Sequence, residues 1–105
     1  MAVTVDEARA LALALDGAVE QDHHGRPSFR IAKKIFATLW SNEQMNVMLD
    51  EGGILTAIEA EPGFCSPVHW GKRLAAVGVA LPAARGDYLQ QLLREAWELR
   101  RPAAT

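Results

Sequence analysis

Hydrophobic positions near the start of the chain fall at Ala8, Leu11, Ala12 and Leu15, the spacing of one apolar stripe on a helix. Thr4 followed three residues later by Glu7 makes a capping box that starts this helix, and Asp16-Gly17 supplies a stop. From Pro27 the period shortens to two. Phe29 and Ile31 share one face of a strand, Ala32-Lys33-Lys34 reads as a tight turn, and Ile35 to Trp40 is a second strand. Strict alternation puts Phe36, Thr38 and Trp40 on one of its faces and Ile35, Ala37 and Leu39 on the other. Ser41-Asn42-Glu43 is a further turn and Met45 to Leu49 a third strand. Connections this short require an antiparallel meander.

Asp50 then caps a short helix carrying Ile54, Leu55 and Ile58, weakened by Gly52 and Gly53 in its first turn. Glu61-Pro62-Gly63 ends it, and a loop holding Pro67, His69, Trp70 and Gly71 follows. Leu74 to Leu81 reads as a strand with Val77, Val79 and Leu81 on one face, closed by Pro82. Asp87, with Gln90 three residues on, caps a last helix whose stripe is Leu89, Leu92, Leu93, Ala96 and Trp97. Arg100 and Arg101 suit its C-terminal dipole, Pro102 stops it, and Pro102 to Thr105 reads as a frayed tail. Helix, three strands, helix, strand, helix is an α+β order, which predicts a two-layer sandwich of antiparallel sheet and helices.

Composition narrows the class without naming a partner. A chain of 105 residues, half of them hydrophobic and 23% charged, suits one globular domain spanning residues 1–105. No apolar run approaches the ~18 residues of a membrane span, and the N-terminus lacks the basic and apolar regions of a secretory signal. The one cysteine, Cys65, has no partner for an internal disulfide, so cytoplasm is the default compartment. The net charge of −2 argues against a uniformly basic nucleic-acid binder. Its distribution changes that picture: residues 1–63 carry five basic and ten acidic side chains, residues 64–105 six basic and three acidic. An asymmetric molecule can hold an anion locally while acidic overall.

Several stretches resemble a known family. His24-Gly25-Arg26-Pro27-Ser28-Phe29-Arg30-Ile31-Ala32-Lys33-Lys34-Ile35-Phe36-Ala37 is similar to the first hairpin of the MmcQ/YjbR family of small bacterial proteins. Ala60-Glu61-Pro62-Gly63 and Leu93-Arg94-Glu95-Ala96-Trp97-Glu98-Leu99 resemble its later segments in the same order. Where several members carry His-Met-Asn-Lys-Arg-His-Trp, this chain has His69-Trp70-Gly71-Lys72-Arg73-Leu74-Ala75, so the family's tryptophan position is Ala75. The resemblance implies a fold like that of CyaY, the bacterial frataxin, and DNA contact through hairpins arranged around a helix.

Read from the residues themselves, Arg26, Arg30, Lys33 and Lys34 cluster on the Pro27–Trp40 hairpin, and His69, Lys72 and Arg73 on the later loop. Arg26 and Arg30 lie on the same side of an extended segment. Such cations beside hairpin turns suit phosphate, and Trp70 between them could stack on a base or cover the core. Asp22, His23, His24 and Glu20 offer no chelating geometry, because adjacent histidines in a strand point apart, and no zinc-ligand spacing occurs. Cys65 with His69 lacks the third group and oxyanion site that catalysis needs. The expectation is a non-enzymatic module without metal or cofactor, contacting DNA through Arg30, Lys33, Lys34, His69, Trp70, Lys72 and Arg73. The rival is an accessory domain binding a protein or small ligand on its sheet face. No membrane partner is expected, and a monomer is the default.

Overall fold

The computed structural model describes residues 2–102; of the expected tail, 103–105 lie outside the described residues. Helix α1 (Val5–Leu13) begins at the capping box, with the Glu7 amide donating to Thr4 Oγ1 and the Thr4 amide to Glu7 Oε1. It ends at Leu13, earlier than the Asp16-Gly17 stop suggested. Gly17 serves the turn that follows: its φ is +74°, and a Cβ there would stand 2.8 Å from Ile31 Cδ1.

Four strands come next: β1 (Val19–His23), β2 (Arg26–Ile31), β3 (Lys34–Leu39) and β4 (Gln44–Val47). Helix α2 (Glu51–Ala60) starts where Asp50 accepts from the Gly53 amide at 2.8 Å. Strands β5 (Cys65–Trp70) and β6 (Arg73–Ala80) follow, then a short 3-10 turn at Leu81–Ala83 and helix α3 (Gly86–Arg100). The sheet is antiparallel throughout, in the order β1-β2-β3-β4-β6-β5. This is the two-layer α+β sandwich expected, with two strands more.

The two additional strands, β1 and β5, are the sheet's edges. Residues 65–70 form a strand where a loop was expected. An edge strand needs no apolar alternation because it faces solvent, and β1 is exposed at every position. Pro67 is tolerated in β5 because an edge strand can leave one side of its ladder unpaired.

Two further expectations fail locally. Phe29 pairs with Ala37 but Arg30 pairs with Ile35, which leaves Phe36 as an extra residue in β3. This bulge reverses the side-chain parity: Phe36 turns into the core beside Ala37 and Leu39, while Ile35 joins Thr38 and Trp40 on the opposite side. Asp87 does not cap α3. The helix starts two residues earlier, at Gly86, Arg85 is its cap residue without a side-chain cap, and the Asp87 carboxylate accepts from Arg85 Nε at 3.3 Å.

All three helices lie on one face of the sheet. α3 packs on β3 and β4, α2 on β5 and β6, and α1 against α3. Phe29, Phe36, Met45, Val47, Val77 and Val79 from the strands meet Leu89, Leu92, Leu93 and Ala96 of α3 in one buried cluster. Arg85 closes one end of this layer with an ion pair of 3.0 Å to Glu61 at the end of α2. Among the described residues, no helix covers the other face of the sheet.

Candidate functional site

Side chains on the uncovered face follow the strand register. Gln21 pairs with Ser28, Ser28 with Thr38, Thr38 with Asn46, Asn46 with Gly78, and Gly78 with Ser66. Directly opposed residues share a face, so one row crosses all six strands, polar at every position but Gly78. Ser28, Thr38 and Asn46 are buried, and they are the buried polar residues of the described chain. The Ser28 hydroxyl donates to the Gln21 carbonyl at 2.8 Å, and Asn46 Oδ1 accepts from Gln44 Nε2 at 2.8 Å.

Over this row lies a groove of about 650 Å³. Its floor is Thr38 and Asn46 with the apolar Ile35, Met48 and Ala75. Its walls carry Arg26, Arg30, Lys33, Arg73 and Arg100, with His23 and His24 at one rim and the rings of Trp40 and Trp70. Five of the chain's eleven basic residues line the groove and none of its thirteen acidic residues does. The local field is therefore positive although the molecule is net negative, and a concave low-dielectric wall concentrates it.

The arginines are held in place by neutral groups. Arg26 lies over the Trp40 ring, 3.8 Å from its centroid, and its Nε donates to the Trp40 carbonyl at 3.0 Å. Arg30 Nε donates to Ser28 Oγ at 3.1 Å, and its Nη2 lies 3.5 Å from His23 Nδ1. Arg100 Nε donates to the Ile35 carbonyl at 3.3 Å, and Arg73 stands 5.5 Å over the Trp70 ring. Among the described residues, ion pairs are made by Arg9 and Arg85, and the groove's cations make none. Each keeps N–H donors for an incoming anion.

Two hairpins position this set. The β2–β3 turn is Ala32-Lys33, with φ of +49° and +70°, the type I′ signature that matches strand twist but normally takes Asn-Gly. The β5–β6 turn is Gly71-Lys72, with Gly71 at φ +63°. Because all pairings are antiparallel, Arg26 and Trp40 sit at one end of the sheet and Trp70 and Arg73 at the other, three strands across. The groove runs diagonally between two arginine–tryptophan pairs.

Of the residues singled out from sequence, Arg30, Lys33, Trp70 and Arg73 come together on the groove. Lys34, His69 and Lys72 lie outside its lining. Trp70 is an exposed wall at 52% accessibility, not a lid on the core. Arg26, expected among the hairpin cations but not among the DNA contacts, also lines the groove, and His23, His24, Trp40 and Arg100 join it from positions given other roles by their sequence context. The available signal was the polar row: Ser28, Thr38 and Asn46 stand at strand positions where apolar residues would be expected on a helix-covered sheet.

Cys65 belongs to the core, 3% exposed, and its burial, reinforced by the negative charge of Glu61, pushes the thiol up to about 11. It is a neutral thiol at physiological pH. It stands four residue steps from His69 along β5, roughly 13 Å by strand rise, so the two make no catalytic pair.

The comparisons with known proteins agree with this architecture. A family model described as YjbR matches residues 13–99. The chain belongs to the YjbR family. Among solved structures, this YjbR domain is similar to Deinococcus radiodurans protein DR2400, a DUF419 domain, at 19% identity and a TM-score of 0.76. That match covers 92% of this chain and 78% of the other. At this identity the likeness is one of fold. No curated protein matches the YjbR chain. No described helix is long and apolar enough to cross a membrane.

Proposed function

We propose that the YjbR domain is a non-enzymatic module that binds nucleic acid on its uncovered sheet face. One observation carries the reading: five cations and two exposed tryptophans converge on a groove without a carboxylate. Phosphate binding needs arginine and lysine donors free of internal ion pairs, and the groove supplies them. Bases need flat apolar surfaces, which Trp40 and Trp70 offer at 47% and 52% exposure. Arg30 is positioned for such a contact, since its guanidinium meets Ser28 Oγ and His23 Nδ1 while one terminal nitrogen stays unengaged.

The test is fluorescence-anisotropy titration of labelled oligonucleotides at about 50 and 200 mM salt. Counterion release makes affinity fall steeply with salt, and removing one phosphate contact lowers the logarithmic salt slope by about 1. Arg30→Ala and Arg73→Ala should each weaken binding about tenfold and flatten the slope, whereas Lys34→Ala, outside the groove, should change little. Binding absent at low salt, or indifferent to salt, overturns the reading.

A second reading takes the same groove as a site for a small anionic ring compound. Its support is size: about 650 Å³ falls within the roughly 300–1,000 Å³ of small-molecule pockets. Affinity that is the same for a mononucleotide and an oligonucleotide would favour it.

A further inference from the structure

We infer that the groove selects single-stranded nucleic acid over duplex, with one base stacked at each arginine–tryptophan pair and the strand running diagonally across the sheet. This rests on the nucleic-acid reading above and names the form of ligand within it.

Shape separates the two forms of nucleic acid. A protein that reads duplex DNA inserts a convex element, a helix or a two-stranded ribbon, into a major groove about 12 Å wide. Here Arg26, Arg30, Arg73 and Arg100 line a concavity in a sheet face instead. A rigid duplex resting on its rims would reach Lys33 and leave the tryptophan faces and the polar floor untouched. An unpaired strand is flexible enough to enter, and its bases are free to leave their own stack.

Span supplies the second step. Trp40 follows the end of β3, and Trp70 ends β5 at the opposite edge of the sheet, three strands away. Trp40 stands opposite Gln44, which pairs with Ala80, seven residues along β6 from the Arg73 that faces Trp70. At about 3.3 Å per residue and about 4.8 Å per strand, the two positions lie roughly 27 Å apart along the face. One nucleotide cannot bridge that distance, whereas a strand of about four can, at the lower end of site sizes on sheet-based single-strand binders.

The chemistry of the lining fits the same occupant. At each end a guanidinium accompanies an indole: Arg26 over Trp40 at 3.8 Å and Arg73 over Trp70 at 5.5 Å. A base can stack on either plane while the arginine's remaining N–H groups meet the adjoining phosphate. Between the two pairs, Thr38 and Asn46 present hydrogen-bonding groups at the floor, where the edge of an unpaired base would lie. A paired base has spent that edge on its partner.

The deciding experiment is competition on the full chain: a labelled twelve-nucleotide single strand displaced by the unlabelled strand or by its blunt duplex at about 50 mM salt. The expected result is single-strand affinity at least tenfold above duplex affinity. Trp40→Ala and Trp70→Ala should each cost the single strand about tenfold and leave duplex affinity unchanged. Trp70→Phe should restore most of the loss, because a ring remains. Far-ultraviolet circular dichroism matched to wild type establishes that each variant is folded. Duplex binding equal to or tighter than single-strand binding overturns the inference and leaves the nucleic-acid reading standing. So does single-strand affinity that ignores both tryptophans. Binding of neither form overturns both.

Discussion

Alternate residues of the same strands build two unlike surfaces. Toward the helices, Phe29, Phe36, Met45, Val47, Val77 and Val79 are fully buried among apolar neighbours. On the opposite side the same strands present Ser28, Arg30, Thr38 and Asn46, with the exposed rings of Trp40 and Trp70 at the groove's ends. The first surface satisfies burial alone, and shape decides which side chain goes where. The second meets a different demand: Ser28, Arg30 and Asn46 are hydrogen-bonded to their neighbours, yet its cations lack carboxylate partners. Left unneutralised, five cations in one concavity repel one another, so this arrangement disfavours the free domain slightly and favours an anion-bound one. The lesson is that a sheet's period of two lets one ladder carry stability and recognition independently.

The largest effect that could break this division is a truncation on the covered face. Phe36→Ala removes a fully buried ring at the β3 bulge and should destabilise folding by about 3–5 kcal/mol, read as a shift in the denaturant midpoint. Trp70→Ala, on the open face, should stay within about 0.5 kcal/mol of wild type. Comparable losses for the two would show that the open face is structural after all.

A second contrast concerns titration. Cys65 is buried on the covered side, with its thiol pushed from an ordinary 9.0 up to about 11. The neutral form is the one the folded state tolerates, so the stabilisation is complete below pH 9 and is lost as pH rises toward 11. Two pH units correspond to at most about 2–3 kcal/mol. Denaturation midpoints of wild type and Cys65→Ala across pH 8 to 11 isolate this contribution, and only wild type should show the added fall. Equal slopes would mean that the thiol is effectively in contact with water.

How much of this was legible in the residues differs between the two faces. The Thr4–Glu7 box, the Asp50 cap and the Leu89–Ala96 stripe declared their elements because local hydrogen bonds and helical spacing are written in the sequence. The edge strands β1 and β5 did not, because residues such as Glu20, Gln21 and Asp22 face solvent and carry no alternation. Nor could parity be followed past the Phe36 bulge, since an extra residue is a property of the pairing and not of one strand. The groove suffers from both: it gathers His23, Trp70 and Arg73 from strands that only the sheet order makes neighbours, and Arg100 from the end of α3, where it donates to the Ile35 carbonyl. The cationic hairpin residues Arg30 and Lys33 were visible as chemistry before they could be located on a surface.

The smallest effect is the most pointed test of the comparison, because stability and binding should move in opposite directions. Lys33 sits at φ +70° in a type I′ turn, a conformation that L side chains with a Cβ adopt at a cost of about 1 kcal/mol and glycine adopts freely. Lys33 also lines the groove, where its ammonium adds to the positive wall. A strained residue retained at the rim of a site suggests that the side chain is needed there. Lys33→Gly should therefore raise stability by about 0.5–1 kcal/mol while weakening oligonucleotide binding a few-fold and lowering its salt slope. Ala32→Gly, at φ +49° in the same turn, should share the gain in stability and leave binding alone. If Lys33→Gly stabilises the domain and binding is unchanged, the strain at the hairpin tip has no tie to the open face, and the lysine is only a solvated turn residue.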